Sequence, residues 1–244
     1  MKLDIQALCH KGLVRENNED ALSVGGLFLR DDSATLTVNT SDDGFFYLLV
    51  ADGMGGHENG EEASEFALDE VKEQLVMHQI QPDSFEDDLR EAAHYISFKL
   101  NRAAADRGQA KPMGCTLTGV IWHYGKTWLV NAGDSRTYRF REGMLRQLTT
   151  DETERGISGD PEGSKLLLNC LGGGCDGRIS VENLNDKLFE GDVLLICSDG
   201  LCDMVSDDGI ETALAGGATA DDLLRLACEA GGDDNISIIL AKIL

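Results

Sequence analysis

The sequence predicts an α+β fold in which antiparallel strands and helices are segregated along the chain. Ten short runs rich in β-branched, aromatic and aliphatic residues, separated by turn signals, indicate strands. Two long amphipathic helical patterns follow one another with no strand between them, and two shorter ones precede the last strand. Because the helices do not alternate regularly with the strands, this order favours α+β layers over repeated βαβ units.

The expected strands are residues 3–9, 21–27, 45–51, 115–123, 127–132, 136–140, 144–148, 178–183, 192–197 and 235–243. Turn signals such as YGK and REG lie between neighbouring runs and are typical of antiparallel hairpins. Most of the sheet structure is therefore expected to be antiparallel.

The expected helices are residues 60–79, 84–106, 206–215 and 219–229. In the first, acidic residues separate apolar residues that recur near helical spacing, namely Ala63, Phe66, Ala67, Val71, Leu75 and Val76. This spacing gives the helix one apolar face. Ser206 and Thr219 stand at the starts of the two short helices and are the expected N-caps.

Composition limits the classes of protein that the chain can belong to. Its 244 residues are 42% hydrophobic, which suffices for a sizeable core, and no linker or repeat marks a boundary, so we expect one domain over residues 1–244. With 44 acidic against 21 basic side chains, the formal net charge is -23. Such a charge repels nucleic acid and anionic membranes and attracts divalent cations. A solvated acidic surface is the simplest alternative explanation.

The sequence also indicates a cytoplasmic protein. No window approaches the ~18 apolar residues of a membrane span, and the opening MKLDIQALCH places polar residues where a signal peptide would be apolar. Seven scattered cysteines, odd in number and without a CxxC pair, are expected to be reduced thiols.

Acidic residues border several of the expected strands. Asp52 ends the apolar run FFYLLVA and is followed by a glycine-rich loop, and Asp199 ends VLLICS in the same way. A carboxylate at the mouth of a buried strand must be paired or bound to a metal, because an isolated buried charge is too costly. The remaining members of the pattern are Glu19, Asp20, Asp134, Asp234 and Asn235. Any one of them alone could be an Asx turn, but together they predict a site of hard oxygen ligands suited to Mg²⁺ or Mn²⁺.

Five ordered motifs make the sequence resemble a known family. VRENNEDA, FFYLLVADGMGGHENGEEAS, GCTLTGVIWHYGKTWLVNAGDSRTYRF, LICSDGL and GGDDNISII are similar to the motifs of metal-dependent Ser/Thr protein phosphatases, the type 2C or PPM family, in their compact bacterial form. The resemblance runs from about residue 12 to residue 239. It implies two packed antiparallel sheets flanked by helix pairs, with a binuclear metal centre at one end. It also implies a single phosphatase catalytic domain.

The resemblance implies a reaction and a set of partners. A hydroxide bridging two Mn²⁺ or Mg²⁺ ions would hydrolyse phosphoserine and phosphothreonine in proteins, the substrates of a Ser/Thr kinase. By position, Asp52 would bridge both metals, the carbonyl of Gly53 would bind one of them, and Asp199 and Asp234 would complete the other. Glu19 and Asp20 would act mostly through metal-bound waters, and Asn235 would orient the last turn.

Three further assignments follow from the resemblance, two of them with open alternatives. Arg15 would hold the substrate phosphate. His57 would protonate the leaving group or, equally, orient its loop, since Met54 stands where many animal and plant members carry histidine. Asp134 would bind a third, weaker metal with Asp199, or would cap its turn or pair with Arg136. Residues 151–171 match the family's substrate-contacting flap.

Rival interpretations remain at this point. CHKGLVR fits the C-x5-R spacing of a cysteine-dependent phosphatase, with Cys9 as nucleophile and Arg15 as phosphate ligand, although no helix is expected after it. A nucleotide-binding module would explain a strand, glycine loop and helix, but DGMGGHEN matches neither dinucleotide nor P-loop patterns. A non-catalytic acidic metal-binding interaction protein leaves the strand-end aspartates without a role.

Overall fold

Two six-stranded antiparallel sheets pack face to face and are flanked by helices. The computed structural model describes residues 1–40, 44–55, 58–77, 83–108, 112–160 and 162–244. The first sheet has the order β11-β10-β14-β15-β1-β4, with β1 (Lys2–His10), β4 (Asp32–Asn39), β10 (Arg136–Arg141), β11 (Met144–Gln147), β14 (Val193–Cys197) and β15 (Ile236–Ile243). The second has the order β13-β9-β8-β5-β2-β3, with β2 (Ala21–Val24), β3 (Leu27–Leu29), β5 (Phe45–Ala51), β8 (Leu117–His123), β9 (Lys126–Ala132) and β13 (Ser180–Asn183).

A small third sheet and the helices complete the described architecture. The small sheet has the order β12-β7-β6 and consists of β6 (Gly53–Met54), β7 (Gly114–Cys115) and β12 (Leu171–Gly172). The helices are α1 (Glu58–Met77), α2 (Phe85–Asp106), α3 (Glu154–Ser158), α4 (Asp199–Cys202), α5 (Asp207–Ala215) and α6 (Ala220–Glu229). None of the described helices combines the length and apolarity needed to cross a bilayer.

Three apolar clusters hold the layers together. Side chains such as Leu48 and Ile239 meet between the two large sheets. Phe85 of α2 packs with Tyr47 on the outer face of the second sheet, and Leu223 of α6 belongs to a cluster on the outer face of the first. The order of layers is therefore helix, sheet, sheet, helix. This arrangement confirms the predicted α+β class and the two packed antiparallel sheets.

The strands differ from the prediction in several places. The expected strand 115–123 is divided at Thr116 into β7 of the small sheet and β8 of the second sheet, and β6 and β12 were not predicted. The expected strand 21–27 is a hairpin, because Gly25 and Gly26 turn the chain with φ of 56° and 96° between β2 and β3. β4 was not predicted, because its sequence DSATLTVN is largely polar. Its side chains alternate between exposed and half-buried along most of its length, as expected of an edge strand. A polar edge strand lacks the apolar run that indicates a central one.

The helices agree more closely with the sequence. Ser206 Oγ accepts a hydrogen bond from the Gly209 amide at 3.2 Å, and Thr219 Oγ1 accepts one from the Asp222 amide at 3.2 Å, which confirms both N-caps. α1 begins two residues before the predicted start, and the predicted end at 78–79 lies outside the described residues. α3 and α4 were missed, because helices this short have no periodicity to detect.

Candidate metal centre

Strand register brings the predicted acidic residues to one end of the sandwich. In the second sheet Ala21 pairs with Ala51, so the residues flanking them, Asp20 and Asp52, share an edge. In the first sheet Cys197 pairs with Ile238, which places Asp199 and Asp234 at the corresponding edge. The four carboxylates lie near one another, since each of the others raises the pKa of Asp52.

Two buried hydroxyl groups fix the backbone at Asp52. Its amide donates to Thr116 Oγ1 at 3.0 Å, and its carbonyl accepts from the Thr116 amide at 2.8 Å. Thr116 Oγ1 is in turn 2.7 Å from Ser135 Oγ, so the turn after β9 is linked to the same point. Sequence analysis identified Asp52 and missed both hydroxyls, which are visible only once the strands are in register.

Ser198 is the hydrogen-bond partner of Asp20. Asp20 is 1% exposed, and its Oδ2 accepts from Ser198 Oγ at 2.6 Å. Ser198 Oγ also accepts from the Ser237 amide at 3.0 Å. Ser198 therefore joins the ends of β14 and β15 to the carboxylate at the start of β2. The only sequence signal for this role is the position of Ser198 immediately before Asp199.

Asn235 joins the last strand to the loop that precedes β2. Its Oδ1 accepts from the Glu19 amide at 2.8 Å, and its Nδ2 donates to the carbonyls of Lys11 and Asn17 at 2.8 and 2.9 Å. These three bonds hold the 11–19 loop over the site. In that loop Arg15 donates to Asp234 Oδ2 at 2.5 Å, with its own side chain 51% exposed.

Asp134 and Asp199 line the same cavity beside the site. Asp199 Oδ1 is buried without a hydrogen-bond partner among the described residues. Arg136 does not pair with Asp134, because its Nε and Nη2 donate to the carboxylate of Asp151 at 2.9 and 2.6 Å. Among the described residues Arg136 therefore makes no ion pair with Asp134, although its charge acts to lower the pKa of that carboxyl.

Close backbone approach explains the glycine at position 53. A Cβ there would lie 2.1 Å from the carbonyl oxygen of Gly60 and 2.5 Å from that of Glu19, so no side chain fits. The Gly53 amide donates to the same Glu19 carbonyl at 3.2 Å. Gly53 thus sits between the Glu19 loop and the first turns of α1, directly after Asp52.

The electrostatics of the cluster favour a bound cation. Burial, followed by neighbouring charges, raises the pKa of Asp199 to about 7 and that of Asp52 well above its usual range. Burial likewise raises the pKa of Asp20 and of Asp134 to about 6 in each case. A divalent cation among these carboxylates would offset the repulsion that raises their pKa values.

The acidic oxygens are of the kind that divalent metals prefer, but the described side chains are not spaced to hold an ion. In the part of the chain that the structure describes, no three His, Cys, Asp or Glu side chains are drawn together tightly enough to hold an ion as they stand. Two of the oxygens are engaged elsewhere, that of Asp20 by Ser198 and that of Asp234 by Arg15. The buried oxygen of Asp199, which has no hydrogen-bond partner among the described residues, is the observation that best fits a metal ligand.

Two features of the surroundings bear on the predicted site. His57 and the neighbouring Gly56 lie outside the described residues. Of the segment 151–171, the described residues 151–160 and 162–170 contain α3 and loop residues that approach its start through the backbone pair Thr153 and Leu167. A cavity of about 670 Å³ lies between this segment and Asp199. Lys165 of the same segment pairs with Asp203 at 2.6 Å.

Cys9 is not placed as a nucleophile. It is 2% exposed in β1, and Ser237 Oγ and Asn18 Nδ2 each donate to its sulfur at 3.3 Å. Burial, followed by the charge of Asp20, raises the pKa of this thiol to about 12. A thiol of such high pKa supplies very little thiolate near neutral pH. Its environment is that of a core residue.

Comparisons with known proteins give consistent findings. The family described as "Protein phosphatase 2C" matches residues 23–221. The serine/threonine phosphatase stp of Listeria monocytogenes is 30% identical over 251 aligned residues, which cover 95% of this chain and 92% of that protein. The structure of the S. agalactiae serine/threonine phosphatase has a TM-score of 0.80 at 25% identity and covers 99% of this chain and 100% of that one. The catalytic domain of the phosphatase PstP, solved with 2 manganese ions, has a TM-score of 0.73 at 30% identity and 98% coverage of both chains.

Proposed function

The chain belongs to the protein phosphatase 2C family and is a metal-dependent Ser/Thr protein phosphatase, and we propose that the aspartate cluster at the end of the sandwich is its catalytic centre. The observation that supports this assignment is the convergence of Asp20, Asp52, Asp199 and Asp234 from four strand ends, with burial and mutual repulsion raising the pKa of Asp52. Burying several carboxylates together destabilises the folded protein unless cations neutralise their charge.

The proposed ligands follow from the positions of these residues. Asp52 and the Gly53 carbonyl would bind the metal pair from the side of the second sheet. Asp199 and Asp234 would bind it from the side of the first sheet. When bound, divalent ions would neutralise the phosphate and lower the pKa of a water. Glu19 and Asp20 would act mainly through waters, since Ser198 already holds one oxygen of Asp20. Asn235 would keep the Glu19 loop in place.

Arg15 is proposed to change partners when substrate binds. In the structure its guanidinium pairs with Asp234, which is 36% exposed in its side chain. A cation bound by Asp234 would neutralise that carboxylate and release the guanidinium. Arg15 could then donate two parallel hydrogen bonds to a substrate phosphate, the geometry for which its planar fork is suited. Arg15 is accordingly the proposed substrate ligand, and a bound phosphate would replace its pairing with Asp234.

The proposal also covers the identity of the metal, a third metal site and the proton donor. Mn²⁺ or Mg²⁺ suits the all-oxygen donor set, and a third, weaker site at Asp134 is supported by its place beside Asp199 at the same cavity. His57 remains the predicted proton donor to the leaving group. We propose one catalytic domain over residues 1–244, acting in the cytoplasm on the phosphoprotein products of a Ser/Thr kinase. All seven cysteines are free thiols, which supports a reducing compartment.

Removal of metal is expected to abolish hydrolysis of a phosphothreonine peptide. Phosphate release would be measured with Mn²⁺, with Mg²⁺, and with excess EDTA, and activity should return when the chelated protein is given fresh metal. Recovery of activity on adding metal back shows that EDTA removed the metal without unfolding the protein. Full turnover in EDTA would contradict the proposed centre, because the carboxylate cluster alone would repel a phosphate dianion.

A thiol mechanism is tested by replacing Cys9. Cys9→Ser should leave turnover nearly intact, because the buried sulfur makes only structural hydrogen bonds, with Asn18, Ser237 and the Asp20 carbonyl. Arg15→Ala should raise KM by about tenfold or more with a smaller change in kcat, since it removes a charged hydrogen-bond donor to phosphate. Arg90→Ala, on the exposed side of α2, is the matched control for loss of an arginine. A folded but inactive Cys9→Ser protein would favour a phosphocysteine intermediate instead.

A further inference from the structure

A cavity lined by cationic side chains opens at one side of the sandwich, where β11 of the first sheet and β13 of the second are the edge strands. Its volume is about 420 Å³, and its basic lining residues are Arg139, Arg141, Arg146 and Lys187. We call it the edge cavity. Such a concentration of positive charge stands out in a chain of net charge -23.

The edge cavity is separate from the metal centre. Arg139 lies three residues along β10 from Arg136, which is a distance of about 10 Å at 3.3 Å per residue. In the ladder Arg139 pairs with Leu194, near the start of β14, whereas Asp199 follows the end of that strand. The lining residues of the edge cavity include none of the proposed metal ligands.

Two arginines face each other across the β10–β11 hairpin. Arg139 and Arg146 are direct partners in the register, so their side chains project from the same face of the sheet. Like charges directly opposite one another destabilise an antiparallel pair. The arrangement therefore calls for a counter-charge between the two guanidinium groups.

The surrounding acids supply that counter-charge only in part, because Asp192, the acid that acts electrostatically on Arg139, is already held by Arg141. Asp192 is held by Arg141 at 2.6 Å and Glu182 by Lys187 at 2.6 Å. Among the described residues, Asp186, which with Glu182 makes up the acids of the lining, makes no ion pair with either arginine of the hairpin.

The two facing guanidinium groups are also short of acceptors. Arg139 Nη1 donates to the Lys187 carbonyl at 3.3 Å, and its Nε is buried without a hydrogen-bond partner among the described residues. The same part of the structure contains no hydrogen bond or ion pair from the exposed Arg146. A buried N–H donor without an acceptor destabilises the folded state. Two guanidinium groups with free N–H donors attract an anion strongly.

We propose that the edge cavity binds a phosphate group between Arg139 and Arg146. A phosphate dianion carries the charge that would offset both guanidinium groups, and its oxygens match the spacing of their N–H donors. The cavity exceeds the size of a single phosphate, so it accommodates either free phosphate or a phosphorylated side chain. This site does not depend on the metal centre, and binding there involves no covalent step.

Binding of inorganic phosphate to the full chain tests the proposal by calorimetry, in Mg²⁺ and again in EDTA, at constant ionic strength set with chloride. In EDTA the carboxylates of the metal centre repel phosphate and Arg15 stays paired with Asp234, so phosphate binding there reports the edge cavity. We expect one site in EDTA, weakened at least about tenfold in Arg146→Gln, since one charged donor set is removed. The control is Arg102→Gln, which removes an exposed positive charge on α2.

Thermal unfolding gives a second readout that does not need tight binding. Without phosphate, Arg146→Gln should melt at or above the temperature of the parent protein, because it relieves the like-charge pair with Arg139. Phosphate should raise the melting temperature of the parent and of Arg102→Gln, but not of Arg146→Gln. The same phosphate-induced rise in Arg146→Gln, or no binding to the parent in EDTA, would overturn the proposal.

The source of the phosphate group is distinguished in the same experiment. A phosphothreonine peptide and its unphosphorylated form are titrated in EDTA, where no hydrolysis interferes. Equal affinity for free phosphate and phosphopeptide identifies the free anion as the ligand. Tighter binding of the phosphopeptide identifies a phosphorylated side chain. Equal binding of the unphosphorylated peptide would contradict a phosphate site.

Discussion

Asp52→Asn is expected to lower kcat for a phosphothreonine peptide by on the order of 10³-fold or more while leaving the protein folded. Asparagine matches aspartate in shape, and the backbone of residue 52 is held by Thr116 whatever its side chain. The neutral amide cannot serve the two metals that we assign to this carboxylate. Asp106→Asn, an exposed change near the end of α2, is the matched control and should keep full activity.

The same variant should be more stable than the parent protein when metal is absent. Burial and the nearby carboxylates raise the pKa of Asp52, so the folded state holds a proton that the unfolded state releases. For such a group stability is lost as pH rises above the ordinary value of 3.8 toward the raised pKa. Asp20 and Asp199, with pKa raised to about 6 and about 7, act in the same direction.

Melting temperatures between pH 4 and 8 in EDTA therefore test the electrostatic basis of the site. The parent should lose stability as pH rises through this window, and Asp52→Asn should lose less, because one of the crowded charges is gone. Added Mn²⁺ should stabilise the parent far more than the variant. If Asp52→Asn retained normal turnover, or if it bound Mn²⁺ as the parent does, the assignment of Asp52 would be wrong.

The sequence indicates the residues of the proposed site but not the contacts that support them. Asp52 and Asp199 are recognisable because each follows an apolar run and precedes glycine, a local signal. The pairing of Arg15 with Asp234 spans 219 positions and depends on how the 11–19 loop lies over the last strand. Ser198 likewise becomes the partner of Asp20 only through packing of one sheet on the other.

In the fold, too, features set by neighbouring residues were predicted, whereas features set by contacts between distant segments were not. Helix caps such as Ser206 are local hydrogen-bonding units and were predicted from four residues of sequence. Arg139 and Arg146 belong to a hairpin that was expected, but their direct opposition depends on a register that the turn sets. β4 was not predicted because an edge strand with one solvent-exposed face contains few apolar residues.

Asp134→Ala is expected to stay folded, to retain two tightly bound metals, and to lose at least about tenfold in phosphopeptide turnover. The structure removes one reason for expecting a structural role, since Arg136 is held by Asp151 and not by Asp134. Asp134 instead lines the cavity beside Asp199, and burial raises its pKa to about 6. A site with few protein ligands binds metal weakly, so its loss should appear in turnover before it appears in occupancy of the tight pair.

Calorimetric titration with Mn²⁺, alongside turnover across the same range of metal, measures both quantities. Asp151→Asn is the informative contrast, because breaking its pairing with Arg136 should cost about 1–3 kcal/mol of stability, which Asp134→Ala should not. Near-normal turnover of Asp134→Ala across the titration would rule out a third metal at this position. Asp134 would then have a structural role in its turn, where its own backbone amide acts to lower its pKa.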